Sequence, residues 1–162
     1  MMIANKKYFV ASLLISMVTI LLDQLSKWWM LTVVDIANRP PIEVTGFLNL
    51  VMVWNHGISF GLFADQRLPL VLIALALAIV VILLAWLAKA NDKLVTIGIG
   101  FVVGGALANV VDRVRFGAVA DFFDFHVFGF HWPAFNIADS AIFIGVVVLC
   151  SESIMSAPKK TS

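Results

Sequence analysis

The sequence predicts a mainly α membrane protein, with four transmembrane helices, a small extracytoplasmic β-sheet and a short interfacial segment. Three observations carry that prediction. Of the 162 residues, 62% are hydrophobic and only 13% are charged, and mean hydropathy is +1.02; an average soluble domain carries about 25% charged residues. Residues 68–88, LPLVLIALALAIVVILLAWLA, form an uncharged apolar run able to cross a hydrocarbon core of about 30 Å as a helix, with no polar face for water. The connection before that run, IEVTGFLNLVMVWNHGISFGLF, is rich in β-branched and aromatic residues broken by Gly46 and Gly57, the pattern of short strands.

The spans fall at about 8–31, 68–88, 94–111 and 136–155 within one integral-membrane domain covering 1–162. Lys6 and Lys7 precede the first, as they would precede a secretory signal. No A-x-A-like cleavage site follows, and Asp23 and Lys27 stand in its place, so the first span is read as retained. Lys6 and Lys7, Lys89 and Lys93, and Lys159 and Lys160 mark alternate span ends. The positive-inside tendency then puts both termini and the middle loop in the cytoplasm, although Arg39, Arg67 and Arg115 lie on the outer side.

The β region, about 40–66, is expected to rest on the outer membrane surface, with Trp28, Trp29 and Trp54 in the interfacial aromatic belt. The second outer connection, 115–133, holds DFFDFHVFGFHW and reads as the short interfacial segment. Eleven basic residues are dispersed along the chain, which argues against nucleic acid as a partner. The single cysteine, Cys150, excludes an intramolecular disulfide and is expected to pack in the last span.

In this topology the polar residues converge at the outer ends of the spans. Asp23 and Lys27 stand at i, i+4 on the first, as do Asn109 and Arg113 on the third beside Asp112. The fourth begins with Asn136, Asp139 and Ser140, and the connection before it supplies Asp121 and Asp124. Ionisable groups inside a membrane protein usually face a bundle interior or cavity and mark a functional site. Each group also has a simpler reading. Asp23 and Lys27 fit an interfacial pair with a snorkelling lysine; Asn136 and Asp139 fit an ordinary helix start; Asp112 fits local compensation of Arg113 and Arg115; Asp124 fits a solvated carboxylate; Asn55-His56-Gly57 fits a turn. Ser59, Ser140, His56, His126 and His131 are more often surface or capping residues than catalysts.

A single site would unify these groups. Two carboxylates brought close cannot both stay ionised, so the pair shares a proton and can hold and activate a water, which is aspartyl protease chemistry. A proton-coupled transporter would use the same aspartates, but would continue its polar groups to the inner side, where these spans are apolar. A metalloprotease built on His56, His126 and His131 lacks an H-E-x-x-H pattern. A noncatalytic assembly subunit would show no turnover.

Five motifs in order resemble the bacterial lipoprotein signal peptidases (signal peptidase II): DQLSK at 23–27, NHGISFGLF at 55–63, GGALANVVDR at 104–113, VADFFDF at 119–125 and FNIADSAI at 135–142. The resemblance spans the whole chain. It implies an aspartyl endopeptidase that removes the signal peptide from prolipoproteins, cutting before a diacylglyceryl-modified cysteine, with neither metal nor organic cofactor. It implies Asp121 and Asp139 as the catalytic pair; the chemistry alone leaves Asp124 equal to Asp121. It further implies supporting or substrate-binding roles for Asp23, Lys27, Asn55, Gly57, Asn109, Arg113, Asn136 and Ala138. Expected partners are lipid-modified prolipoproteins and membrane lipids, around a monomeric protein of the bacterial inner membrane with its site near the outer face. One departure is Ala108, where the family usually has glycine.

Overall fold

The structure is a computed structural model, and it describes residues 5–57 and 68–155. Four long helices are α1 (Lys6–Trp28), α2 (Leu68–Leu87), α3 (Lys93–Phe116) and α4 (Ile137–Met155), each long and apolar enough to cross a membrane. α3 is the central and most buried one, packing against α1, α2 and α4.

α1 shows why this bundle holds together in lipid. Its buried side chains are Ser12, Ser16, Thr19, Asp23 and Lys27, at spacings of three or four that place them on one face. The opposite face exposes Leu14, Leu21, Leu22 and Leu25. Hydrocarbon gives helices no hydrophobic reason to associate, so small and polar residues supply close packing and hydrogen bonds. Accordingly, Ser16 Oγ donates to Gly100 O across the interface at 2.9 Å. A Cβ on Gly104 would sit 2.8 Å from Ser16 O, and one on Gly105 would collide with Ala138 O of α4. These two adjacent glycines therefore let α1 and α4 approach α3 from different sides.

The helix ends follow the local sequence. Asp92 caps α3, its Oδ1 accepting from Leu94 N at 2.7 Å and Val95 N at 3.0 Å. Gly117, left-handed at φ 71°, ends it by donating to Arg113 O at 3.0 Å. α1 continues through a π-helical turn, Trp29–Val33. Trp28, Trp29 and Trp54 are all exposed, as an interfacial belt requires.

Four strands form an antiparallel sheet in chain order: β1 (Ile42–Thr45), β2 (Leu48–Asn55), β3 (Val119–Val127) and β4 (Phe130–His131). β1 and β2 lie in the expected β region; the rest of that region, 58–66, including Ser59, is outside the described residues. The sequence reading missed the strands of the second outer connection. VADFFDF does not alternate because Val119, Ala120, Asp121 and Phe122 are all buried, and a strand covered on both faces loses its period of two. α3 also runs to Phe116, past the expected end at 111. Asp112, which reads as a boundary, is fully buried and paired with Lys27.

Candidate active site

α4 begins with a reciprocal cap. Asp139 N donates to Asn136 Oδ1 at 2.9 Å, and Asn136 N donates to Asp139 Oδ2 at 3.4 Å, an arrangement that satisfies two free amides at the helix start. The simple reading of these two residues as a helix start is therefore correct, but incomplete. Asn136 is buried, and its Nδ2 donates to Asp121 Oδ1 at 2.6 Å. Asp139 is half-buried, and its Oδ1 accepts from Asn109 Nδ2 of α3 at 2.8 Å. One asparagine thus ties the carboxylate of β3 to that of α4.

Asp121 reaches this place through the sheet register. Val53 of β2 lies opposite Asp121, and Asn55 opposite Val119, making Asn55 a same-face diagonal neighbour of Asp121. Asn55 Nδ2 donates to Asp121 Oδ2 at 3.0 Å, and Asn55 Oδ1 accepts from Gly57 N at 2.8 Å. Gly57 has φ +99°, and a Cβ there would strike Leu72 of α2. Only glycine fits that turn without strain. Each carboxylate oxygen of Asp121 and Asp139 accepts one described hydrogen bond and keeps a second lone pair for another donor.

Asp124 separates cleanly from Asp121. It is buried rather than solvated, bound to His131 Nδ1 at 2.8 Å and accepting from Asn49 Nδ2 at 3.3 Å. His131 also stacks on His126, with ring centroids 5.1 Å apart. This cluster braces the β3–β4 hairpin, while the contacts of Asp121 lead to α4.

Beneath both carboxylates lies a buried ion triad. Lys27 Nζ is 2.8 Å from Asp23 Oδ2 and 2.6 Å from Asp112 Oδ2. Asp23 Oδ1 accepts from Ala138 N at 2.9 Å, and Asp112 Oδ2 accepts from Ala120 N at 3.2 Å. The triad therefore grips the residue before Asp139 and the residue before Asp121. Gln24 Nε2 joins it by donating to Asp112 Oδ1 at 2.8 Å. Burial rules out an interfacial pair with a snorkelling lysine, and the direct ion-pair partner of Asp112 is Lys27, in addition to its local interaction with Arg113.

The structure thus brings together Asp23, Lys27, Asn55, Asn109, Asn136, Ala138, Asp121 and Asp139. Ala138 is fully buried against Gly105. Arg113 is half-buried, with Nη1 donating to Asn109 O at 3.3 Å. Ala108 is also fully buried, and its carbonyl accepts from Gln24 at 3.4 Å, so its methyl is accommodated in the α1–α3 contact. Sequence reading missed Gln24 and the bracing role of Asp112; their only signal was a polar residue on the buried face of a span.

Asp121 lies outside the spans, and its carboxyl is pushed up from 3.8 to about 6. Burial is the main cause and the nearby Asp139 charge the second. Hydrogen bonds from Asn55 and Asn136, and the charge of Lys27, oppose the rise. Two carboxylates in one hydrogen-bond network, one of them poised to hold a proton near neutrality, are suited to acid–base work on a bound water.

Comparisons with known proteins identify the family of the chain. Residues 15–155 match the peptidase family described as signal peptidase (SPase) II. A lipoprotein signal peptidase of Rhodopseudomonas palustris (strain TIE-1) is 41% identical over 90% of this chain and 93% of its own length. One of Nitrobacter hamburgensis (strain DSM 10229 / NCIMB 13809 / X14) is 43% identical over 84% and 87%. Two bacterial membrane enzyme structures obtained by the in meso method, at 2.3 and 1.9 Å, superpose with TM-scores of 0.78 and 0.79. Their identities are 29% and 30%, and they cover 93% and 90% of this chain and 93% and 94% of their own. The chain belongs to the signal peptidase II family.

Proposed function

We propose that Asp121 and Asp139 are the catalytic pair of this peptidase, which removes the signal peptide from diacylglyceryl-modified prolipoproteins by cutting before the lipidated cysteine. The observation that carries this reading is Asn136, whose side chain holds Asp121 at 2.6 Å while capping the helix turn that presents Asp139. The ionised member of the pair takes a proton from water as its oxygen bonds to the scissile carbonyl carbon. The protonated member donates to the carbonyl oxygen as it becomes negative. As the C–N bond breaks, the carboxyl that took the proton from water passes it to the departing amine, and its partner recovers a proton from a hydroxyl of the tetrahedral intermediate, leaving a carboxylic acid that ionises on the signal peptide and a free amine on the cysteine.

Lys6, Lys7, Lys89 and Lys93 mark the span ends opposite the site, which supports cytoplasmic termini and a site near the outer face. The same reading takes the chain as a single domain acting as a monomer. The direct test incubates purified protein in detergent with a diacylated prolipoprotein and reads the products by mass spectrometry. Cleavage before the modified cysteine is expected; no cleavage, or cleavage elsewhere, contradicts the reading.

The raised Asp121 carboxyl sets a pH dependence. The singly protonated pair is the active form, and above about 6 Asp121 loses its proton. kcat/KM, which reports the free enzyme, is therefore expected to fall as pH rises through about 6. Asn55→Ala removes a hydrogen bond that favours the ionised carboxyl, so it should move this limb to higher pH. A pH–rate series on both proteins checks the direction; an unmoved or downward limb contradicts it.

A further inference from the structure

Gln24 brings no charge to the ion triad, yet its amide touches both of the triad's carboxylates. Its Nε2 donates to Asp112 Oδ1 at 2.8 Å and lies 3.2 Å from Asp23 Oδ2 and 3.4 Å from Ala108 O. Its Oε1 accepts from Arg115 Nη1 at 3.3 Å. The amide has two N–H donors, so one serves the short bond to Asp112 and the other is divided between Asp23 and Ala108 O. The reverse orientation would set an oxygen against two carboxylates and a nitrogen against a guanidinium, so the charges on both sides fix the amide. Arg115 is in turn held over the Phe116 ring at 4.9 Å, and Phe116 packs on Trp54 of β2 at 5.3 Å.

Asp112 uses Oδ2 for Lys27 Nζ and Ala120 N. Among the described residues, the hydrogen-bond donor to its Oδ1 is Gln24. The Cβ–Cγ torsion of an aspartate has a broad minimum, so a carboxylate held by one oxygen can turn, and its bond to Ala120 N moves with it. At Asp23 both oxygens have other partners, Ala138 N and Lys27, so the influence of Gln24 concentrates on Asp112. We infer that Gln24 is a positioning residue for the peptidase reaction: it fixes how the Asp112 carboxylate is turned and, through Ala120 N, where the next residue, Asp121, stands against Asp139. This rests on the peptidase reading.

Lys27 and Gln24 act on Asp112 in different ways. Lys27 balances its charge, and loss of that balance is read in stability. Gln24 sets an orientation, and loss of it is read in rate. The described partners of Gln24 are Asp23, Asp112, Ala108 and Arg115; it touches neither member of the catalytic pair. Its removal should therefore leave KM in place while kcat falls, since a misplacement of about 1 Å at the reacting groups costs about 100-fold in rate.

The test uses the full-length protein in detergent, a diacylated prolipoprotein peptide and three variants, each assayed below its own Tm. Gln24→Met keeps the length of the side chain and removes the donors. It should lower kcat by about tenfold or more, with KM within about twofold of wild type. Gln24→Glu sets an oxygen against Asp112 and should be slower still. Gln24→Glu/Asp112→Asn rebuilds the bond with its direction reversed: the asparagine oxygen takes Lys27 and Ala120 N, its Nδ2 donates to the glutamate, and the net charge is that of wild type. This double variant should be about tenfold faster than Gln24→Glu, or more, which a role in stability alone would not produce. A kcat for Gln24→Met within about twofold of wild type, whatever its Tm, or a double variant no faster than Gln24→Glu, would overturn the assignment. Wild-type protein that leaves the peptide uncut overturns the peptidase reading itself, an outcome distinct from both.

Discussion

Asp121→Asn and Asp139→Asn are each expected to lower kcat by about 10⁴-fold, the upper end of what a positioned acid or base contributes. The loss should lie in kcat rather than KM, since neither change alters the apolar surfaces that hold the substrate. The two variants differ in a second respect. Both oxygens of Asp121 accept from side-chain amides, of Asn55 and Asn136, so an amide there sets one donor against another and should also cost about 1–3 kcal/mol of stability. At Asp139 the same conflict falls on the long 3.4 Å bond from Asn136 N, the weaker of its two, so Asp139→Asn should unfold nearer to wild type. Cleavage rates together with thermal unfolding in detergent separate the two effects. Substantial activity in either variant would remove its residue from the chemistry.

Lys27→Met should give the largest loss of stability among single substitutions in the site. Lys27 is 2% exposed and stands between Asp23 and Asp112, both fully buried. Methionine replaces its stem but leaves two carboxylates facing each other without a cation, a loss of about 3–5 kcal/mol when one partner of a buried pair is removed. For a chain of this size that corresponds to a fall of roughly 10 °C in Tm. Activity should fall with it, because Asp23 holds Ala138 N and Asp112 holds Ala120 N. Asp112→Asn added to Lys27→Met should recover part of the Tm by removing one uncompensated charge. No recovery would mean that packing, not charge balance, is what Lys27 supplies.

The spans were legible because uncharged runs of about twenty residues have one physical solution in a bilayer. The pairing of Asn136 with Asp139 was legible as local capping chemistry. Their tie to Asp121 was not, because the 2.6 Å contact depends on where β3 crosses the start of α4. That strand was itself hidden by burial of both its faces, which left VADFFDF with no alternation. Ser12, Ser16 and Thr19 were overlooked inside an apolar run, yet they form the buried face of α1. In lipid the inner face of a helix is its more polar one, the reverse of the soluble pattern. Asp112 was misread for a related reason. Its charged neighbours in sequence suggested a helix end, and its partner Lys27 lies 85 positions away.

The most direct measurement of the central claim, that Asp121 and Asp139 act as one unit, is a double-variant cycle on kcat. If the pair shares a single proton and a single water, Asp121→Asn/Asp139→Asn should be no slower than the slower single variant, within a few-fold. Losses that multiply, with the double variant slower than either single by the full factor of the other, would mean that the two carboxylates act independently, and would contradict the account.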